Sequence, residues 1–269
     1  MPEMMNMPNP GFRNSRAELL KKMGRNPLMN FLDTFAFHHT YFFFDDFQGD
    51  TINLDNWAVA NSGGAGVSNF ATVVGRDGRV QAATGTSDNG SLSMVGPLIY
   101  YGDANVVMQA RVKTDVVVGL NFEVGLIDGV PGSNAGGVND EDTPTANMTD
   151  GAVISMDTDE TFTALGFYTA GTTFTTTRTS AAGVPRFTSG TTPVLDRYFT
   201  VRIELITNAA YCFVNGVLIA SHTGNKVEGG TALAPWFYWR TRDTTTKLAS
   251  LDYVAIWAER GLDTGEDDA

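Results

Sequence analysis

The chain has 269 residues, of which 42% are hydrophobic, and this is enough to bury the core of one sandwich or barrel domain. Its formal net charge of -12 at pH 7 opposes attraction to a nucleic acid backbone or an anionic membrane, so we expect neither partner. The single cysteine, Cys212, excludes an intramolecular disulfide, and we expect its thiol to be buried.

The first 40 residues differ from the rest of the chain. They lack the apolar core of a signal peptide, and no run reaches the roughly 18 apolar residues of a membrane span, so we expect synthesis in a cytoplasm. Ser15 and Glu18 form a capping-box pattern and Gly24 is a helix stop, which together predict a short helix around residues 15–23. We interpret residues 1–40 as an arm, either folded back on its own domain or docked on a neighbouring subunit.

This arm is basic, whereas the rest of the chain is acidic. Five basic and three acidic residues give residues 1–40 a net charge of +2, which leaves -14 for residues 41–269. The neck that follows, residues 31–47, is rich in aromatic side chains, and we expect part of it to meet another chain. The docking residues that we predict are Arg13, Arg16, Leu19, Leu20, Lys21, Lys22, Arg25, Phe31, Phe35 and Phe37.

From Tyr41 onward, β-forming residues alternate with period two between recurring turn signals, which predicts an all-β sandwich or barrel. The polar segment 128–151 is longer than an ordinary connection between two strands, so we expect a functional or mobile loop there. Residues 169–193 hold either an edge strand around Phe174 or a second long loop. The acidic tail, residues 263–269, is expected to be disordered. The strands that we predict are 105–114, 116–127, 152–157, 161–168, 198–206, 210–214, 217–222, 235–240 and 247–257.

The sequence YCFVNGVLIA predicts a tight β-hairpin. Asn215 and Gly216 both tolerate positive φ, as a two-residue type I′ turn requires. This turn places Val214 opposite Val217 and Cys212 opposite Ile219. Because both faces of the hairpin are apolar, we expect it to be buried on both sides.

The stretches YFTVRIELITNAAYCFVNGVLIASHTGN (198–225) and APWFYWRTRDTTTKLASLDYVAIWAER (234–260) resemble the C-terminal half of concanavalin A-like, or laminin G-like, jelly-roll domains. The last strand of that family carries an element like Asp252, Tyr253 and Val254. The stretch FFFDDFQGDTINLDNWAV (42–59) resembles the family's first strand, with Trp57 packed near the start of the sandwich. The resemblance implies a two-sheet antiparallel jelly-roll sandwich over residues 41–262, preceded by the arm.

Glycosidases with this fold resemble one another in a Glu-x-Asp-x-x-Glu strand motif that places its carboxylates on one face. This chain lacks the motif, and the strand NFEVGLID offers Glu123 and Asp128 on opposite faces. No Ser or Cys motif accompanies its three histidines. We therefore expect that the protein is not an enzyme.

Acidic clusters at residues 139–142 and 157–160 offer oxygen ligands of the kind that calcium prefers. Neither cluster fits an EF-hand loop, and acidic loops are more often simply solvated, so we expect no cofactor. The weak calcium candidates are Asp140, Asp142, Asp157 and Asp159.

Two tryptophans are candidates for binding a glycan. Trp236 and Trp239 face opposite sides of one strand, so one belongs to the core and the other is free to stack on a sugar unless a loop covers it.

The lack of disulfides, the acidic body and the laminin G-like core resemble small virion proteins of tailed bacteriophages. We therefore expect a non-enzymatic capsid decoration or head-associated protein, located in the virion. Its arm would dock on the major capsid protein or other virion proteins, with self-association. The alternative is a lectin-like carbohydrate-binding adhesion module, in a tail or head fibre, that grips a polysaccharide with the 128–151 loop and an exposed tryptophan.

Overall fold

A computed structural model of the chain describes residues 40–49, 51–63, 66–73, 78–115, 119–129, 135–138, 146–157, 165–171, 173–178, 197–206, 209–224 and 227–259. The regular structure in these residues consists of β-strands, and none of them forms a helix that could cross a membrane. The predicted arm up to residue 39, its helix and the acidic tail lie outside the described residues.

The predicted all-β jelly-roll sandwich is confirmed, because the strands form two antiparallel sheets that pack face to face. We call the first one sheet A, and β1 (Thr40–Asp45) pairs with its strand β16 (Leu248–Glu259). In spatial order, its other strands are β14 (Val217–Thr223), β13 (Ala209–Val214), β12 (Phe199–Ile206), β7 (Val107–Thr114), β16 (Leu248–Glu259), β4 (Val80–Ala83) and β3 (Ala71–Thr72).

Sheet B lies against it, and β6 (Tyr100–Tyr101) pairs with its strand β15 (Ala232–Thr241). Strands that are distant in the sequence are neighbours in both sheets, for example β8 (Leu120–Ile127) and β15, as the crossover connections of a jelly roll require. In spatial order, its other strands are β11 (Thr175–Arg178), β10 (Gly166–Ala170), β9 (Gly151–Asp157), β8 (Leu120–Ile127), β15 (Ala232–Thr241), β5 (Ser91–Val95) and β2 (Ala58–Ser62).

The main core lies between the two sheets and follows the alternation of the strands. In β12, Val201 and Ile203 are buried in this core, whereas Arg202 and Glu204 are partly exposed. Strand β8 differs, because all of its eight residues are buried. Sheet B is therefore covered on the side that faces away from sheet A as well.

The predicted type I′ turn is confirmed, with φ of 49° at Asn215 and 79° at Gly216, and Val214 pairs with Val217. A β-bulge between Cys212 and Phe213 shifts the pairing, so that Cys212 lies opposite Ala220 rather than Ile219. The expected burial of the hairpin on both sides is wrong at its tip, because Val217 and Leu218 are 45% and 49% exposed.

The described part of the aromatic neck is divided between the core and the surface. Tyr41 and Phe43 pack against the main core, and Trp57 is buried beside Phe43, as the resemblance implies. Phe44 is 41% exposed and contacts Tyr253 of β16. Contact of this segment with another chain stays a prediction.

Candidate functional site

Polar side chains gather on the outer face of sheet B, which is the face turned away from sheet A. Phe122 of β8 and Ile154 of β9 belong to the main core, so the residues that alternate with them point to the outer face. The register pairs Asn121 with Asp157 and Glu123 with Ser155. The outer face therefore brings together two carboxylates from two adjacent strands.

Strand β15 adds aromatic rings beside these carboxylates. Its register places Tyr238 opposite Glu123 and Trp236 opposite Gly125. The rings of Trp236 and Tyr238 stack with centroids 5.8 Å apart and planes inclined by 10°. This pair of nearly parallel rings, which we call the aromatic platform, lies next to the carboxylate of Glu123.

Glu123 is fully buried and accepts three hydrogen bonds. The donors are the backbone N–H of Gly137 (2.5 Å), the backbone N–H of Val138 (3.0 Å) and Nε1–H of Trp236 (2.9 Å). Burial raises the pKa of Glu123 to about 7, although the three donors favour the ionised form. The nearby charge of Asp157 contributes to the rise. Glu123 therefore changes its charge near neutral pH.

Asp157 is held in place by two neighbours. Arg242 donates from Nε to Asp157 Oδ2 at 2.8 Å and forms an ion pair with the same carboxylate. Asn121 donates from Nδ2 to the same oxygen at 2.8 Å. Because Asn121 lies directly opposite Asp157, Glu123 and Asp157 are diagonal neighbours, a relation that places residues roughly 7–8 Å apart.

Two described pieces of the long loop lie across this face, residues 135–138 and 146–148, which we call the strap. A β-bridge joins Val138 to Ala146, and the backbone N–H of Asn147 donates to the carbonyl oxygen of Gly137 at 2.8 Å. Val138 and Met148 pack in one apolar cluster with Trp236 and Tyr238. The strap therefore covers part of the aromatic platform.

The two predicted tryptophans have different surroundings. Trp239 lies in the main core against Phe70 and Phe122, whereas Trp236 lies on the outer face of sheet B. Both are only 1% exposed, so the exposed indole that we expected is found at neither position. The core position of Trp239 leaves Trp236 as the better glycan candidate, and its role stays a prediction.

The remaining candidate residues are only partly within the described structure. Asp157 is engaged by Arg242 and Asn121, and the other calcium candidates, Asp140, Asp142 and Asp159, lie outside the described residues. Within the part of the chain that the structure describes, no group of three or more acidic, histidine or cysteine side chains is arranged to hold a metal ion. All of the docking residues predicted in the arm lie outside it too, so docking on a capsid stays a prediction.

No motif in the sequence indicates that Glu123 and Asp157 lie close together. Along the chain, the carboxylate that follows Glu123 is that of Asp128, which lies just beyond the end of the same strand. The alternation in NFEV and SMD does predict which side chains share a face within each strand. Only the register between β8 and β9 shows that Glu123 and Asp157 are neighbours.

No protein-family model matches the chain, and no curated protein matches it in sequence. Its structure is similar to a β-glucanase of Bacillus licheniformis, with a TM-score of 0.52 and 14% identity over 81% of this chain and 98% of that one. A β-1,3-glucanase of Mycobacterium marinum has a TM-score of 0.54 and 11% identity, covering 80% and 97%. An immunostimulatory antigen and pseudo β-1,3-glucanase of Mycobacterium tuberculosis has a TM-score of 0.53 and 13% identity, covering 81% and 98%.

These similarities correct one expectation from the sequence. The conclusion that the protein is not an enzyme is wrong, because structures that share its fold over four fifths of its length are named glucanases, one of them a pseudo-glucanase. That conclusion depended on the absence of a motif within one strand, whereas the sheet assembles its carboxylates from two strands. At 11–14% identity the similarity establishes the fold alone: the chain has the concanavalin A-like jelly-roll fold of β-glucanases.

Proposed function

We propose that the protein is a carbohydrate-active domain that binds a β-glucan-type polysaccharide on the outer face of sheet B. The observation that carries this proposal is the stacked pair of Trp236 and Tyr238 beside the carboxylates of Glu123 and Asp157. Sugar rings have apolar faces that stack on aromatic rings, and their hydroxyl groups donate to carboxylates. The names of the similar glucanases suggest the β-linked glucan as the ligand class.

Hydrolysis of that glycan is the second candidate function, because Glu123 has an unusual environment. A glycosidase needs one carboxyl group that still holds a proton near neutral pH and a second carboxylate nearby. Burial raises the pKa of Glu123 to about 7, and Asp157 lies on the adjacent strand. In this role Glu123 would donate its proton to the leaving oxygen. Asp157 would be the second carboxylate that the reaction needs.

Binding is tested by titration calorimetry with a soluble β-1,3-glucan oligosaccharide, using an α-1,4-linked glucan of equal length as the control ligand. We expect the β-linked glycan to bind and Trp236→Phe to weaken its binding about tenfold, because both the larger ring and its N–H are lost. Trp257→Phe, on β16 of sheet A, is the matched control and should leave the affinity unchanged. Equal binding of both glycans, or equal loss in both variants, would contradict the proposed site.

Hydrolysis is tested by following new reducing ends in a solution of β-1,3-glucan. We expect Glu123→Gln to abolish any release, because the amide has no acidic proton to donate. Trp257→Phe should release reducing ends at the wild-type rate. Release that survives in Glu123→Gln would remove Glu123 from the second candidate function, whereas binding without release would leave the first one standing.

A further inference from the structure

One side chain of sheet B, Glu123, holds the strap by hydrogen bonds. Two of its backbone N–H groups, those of Gly137 and Val138, donate to the two carboxylate oxygens of Glu123. Hydrogen bonds to a charged group contribute more than neutral ones, and both of these are buried. Glu123 therefore connects strand β8 of sheet B to the strap.

The fit between the strap and Glu123 leaves no room for a side chain at one position. A Cβ atom added to Gly136 would lie 2.7 Å from the carboxyl carbon of Glu123 and 2.9 Å from its Oε2. A Cβ atom added to Gly137 would lie 3.4 Å from the same Oε2, which is an ordinary contact. A shift of the carboxylate away from the first atom would disturb the hydrogen bonds that it accepts from the strap.

The strap covers the groups that a glycan would need. Trp236 and Tyr238 are 1% and 2% exposed, and Val138 and Met148 pack in their cluster. An aromatic platform in this state has no open face on which a sugar ring can stack. Binding at this face therefore requires the strap to move.

We propose that the strap is a releasable cover over the outer face of sheet B, that the Glu123 carboxylate is its latch, and that a polysaccharide gains access when the latch opens. This inference rests on the proposed function, whose ligand and site it adopts. When the latch opens, Glu123 loses two N–H donors. Sugar hydroxyl groups replace them, so the ligand offsets the loss of these two hydrogen bonds.

The test compares two variants that differ only in which adjacent glycine becomes alanine. In the full chain without ligand, hydrogen–deuterium exchange is followed in the strap amides and in the amides of β7 and β12. We expect Gly136→Ala to speed exchange in the strap about tenfold, since it displaces the latch. Gly137→Ala should change strap exchange by less than about threefold, and both variants should leave the two strands protected.

A second variant keeps the test decisive if Gly136→Ala fails to fold. Glu123→Gln retains the shape of the side chain but replaces one acceptor oxygen with a donor that faces N–H groups, so it should also speed strap exchange. Equal strap exchange in Gly136→Ala and Gly137→Ala, or wild-type exchange in Glu123→Gln, would overturn the latch.

The rate of association with the β-1,3-glucan oligosaccharide, followed by tryptophan fluorescence after rapid mixing, then separates the latch from the proposed function. Faster association in Gly136→Ala than in Gly137→Ala supports the cover. Faster strap exchange without any binding in either variant would overturn the proposed function and the access role of the strap, and would leave the latch contact itself established. Binding at the same rate in both variants would overturn the cover and retain the binding function.

Discussion

Glu123 shows how a single buried residue can connect the fold to its candidate function. A carboxylate without water requires either a proton or several donors, and Glu123 has three N–H donors and a pKa raised to about 7 by burial. The same contacts hold the strap and orient Trp236. A change in its charge therefore affects both the stability and the site.

We expect the free energy of unfolding to fall as the pH rises from about 4.5 to about 7. The pKa of Glu123 is raised from 4.5 to about 7 in the folded chain, so in this window the unfolded chain loses its proton first. The expected loss is roughly 3 kcal/mol, complete near pH 7. Urea unfolding between pH 4 and 8 measures it, and Glu123→Gln should lack this part of the decline.

Asp150 also contributes to the pH dependence of stability. The quantity to analyse is therefore the difference between the unfolding free energies of the wild type and of Glu123→Gln at each pH. Burial also raises the pKa of Asp150, to about 6, so this residue contributes a decline of the same sign in the wild type and in Glu123→Gln. Subtracting the two curves isolates Glu123. Identical slopes in both proteins would refute the assignment.

The two neighbouring tryptophans of β15 should respond differently to replacement by phenylalanine. Trp236→Phe removes a donor to a buried carboxylate, so we expect it to raise the pKa of Glu123 further and to destabilise the fold by about 1–3 kcal/mol beyond the loss of ring size. Trp239→Phe removes an N–H group that has no hydrogen-bond partner among the described atoms. Thermal unfolding and a pH titration of each variant measure the contrast, and a larger pKa change in Trp239→Phe would be inconsistent with this geometry.

At the scale of elements, alternation predicts strands well and their register poorly. Strands β7, β8 and β12 fall within one to four residues of their predicted bounds, since each is long and clearly alternating. The short strands β2 to β6 were not predicted, because two to five residues with Ser, Thr and Ala carry little periodic signal and are placed by their neighbours in the sheet.

The bulge in the β13–β14 hairpin gives a direct test of register. With Cys212 opposite Ala220, Ala220 is buried and Leu218 is exposed. We expect Leu218→Gln to change the free energy of unfolding by less than about 0.5 kcal/mol. Ala220→Gln places a polar amide in the core and should cost about 2 kcal/mol or more. Urea unfolding compares the two, and similar costs would show that the hairpin pairs as the sequence alone predicts, with both residues on one face.

At the scale of the whole molecule, the sequence predicts the sandwich but not its site. The resemblance and the alternating strands were enough for the two-sheet jelly roll. The site is built from β8, β9 and β15 and from two pieces of a loop, and its contacts depend on registers that no single stretch encodes. The absence of a motif within one strand therefore does not decide whether the protein acts on a glycan.

The most direct test of the central claim is a nuclear magnetic resonance titration of the indole N–H signals with a β-1,3-glucan oligosaccharide. The chain has four tryptophans. Trp57 and Trp239 lie in the main core, Trp257 lies on β16 of sheet A, and Trp236 lies on the outer face of sheet B. We predict that the Trp236 signal shifts at the lowest glycan concentration and by the largest amount. Movement of the strap would expose this indole, and the hydrogen bond from its N–H to Glu123 would change. A shift confined to Trp257, or no shift at a saturating glycan concentration, would contradict the assignment of this face as the binding site.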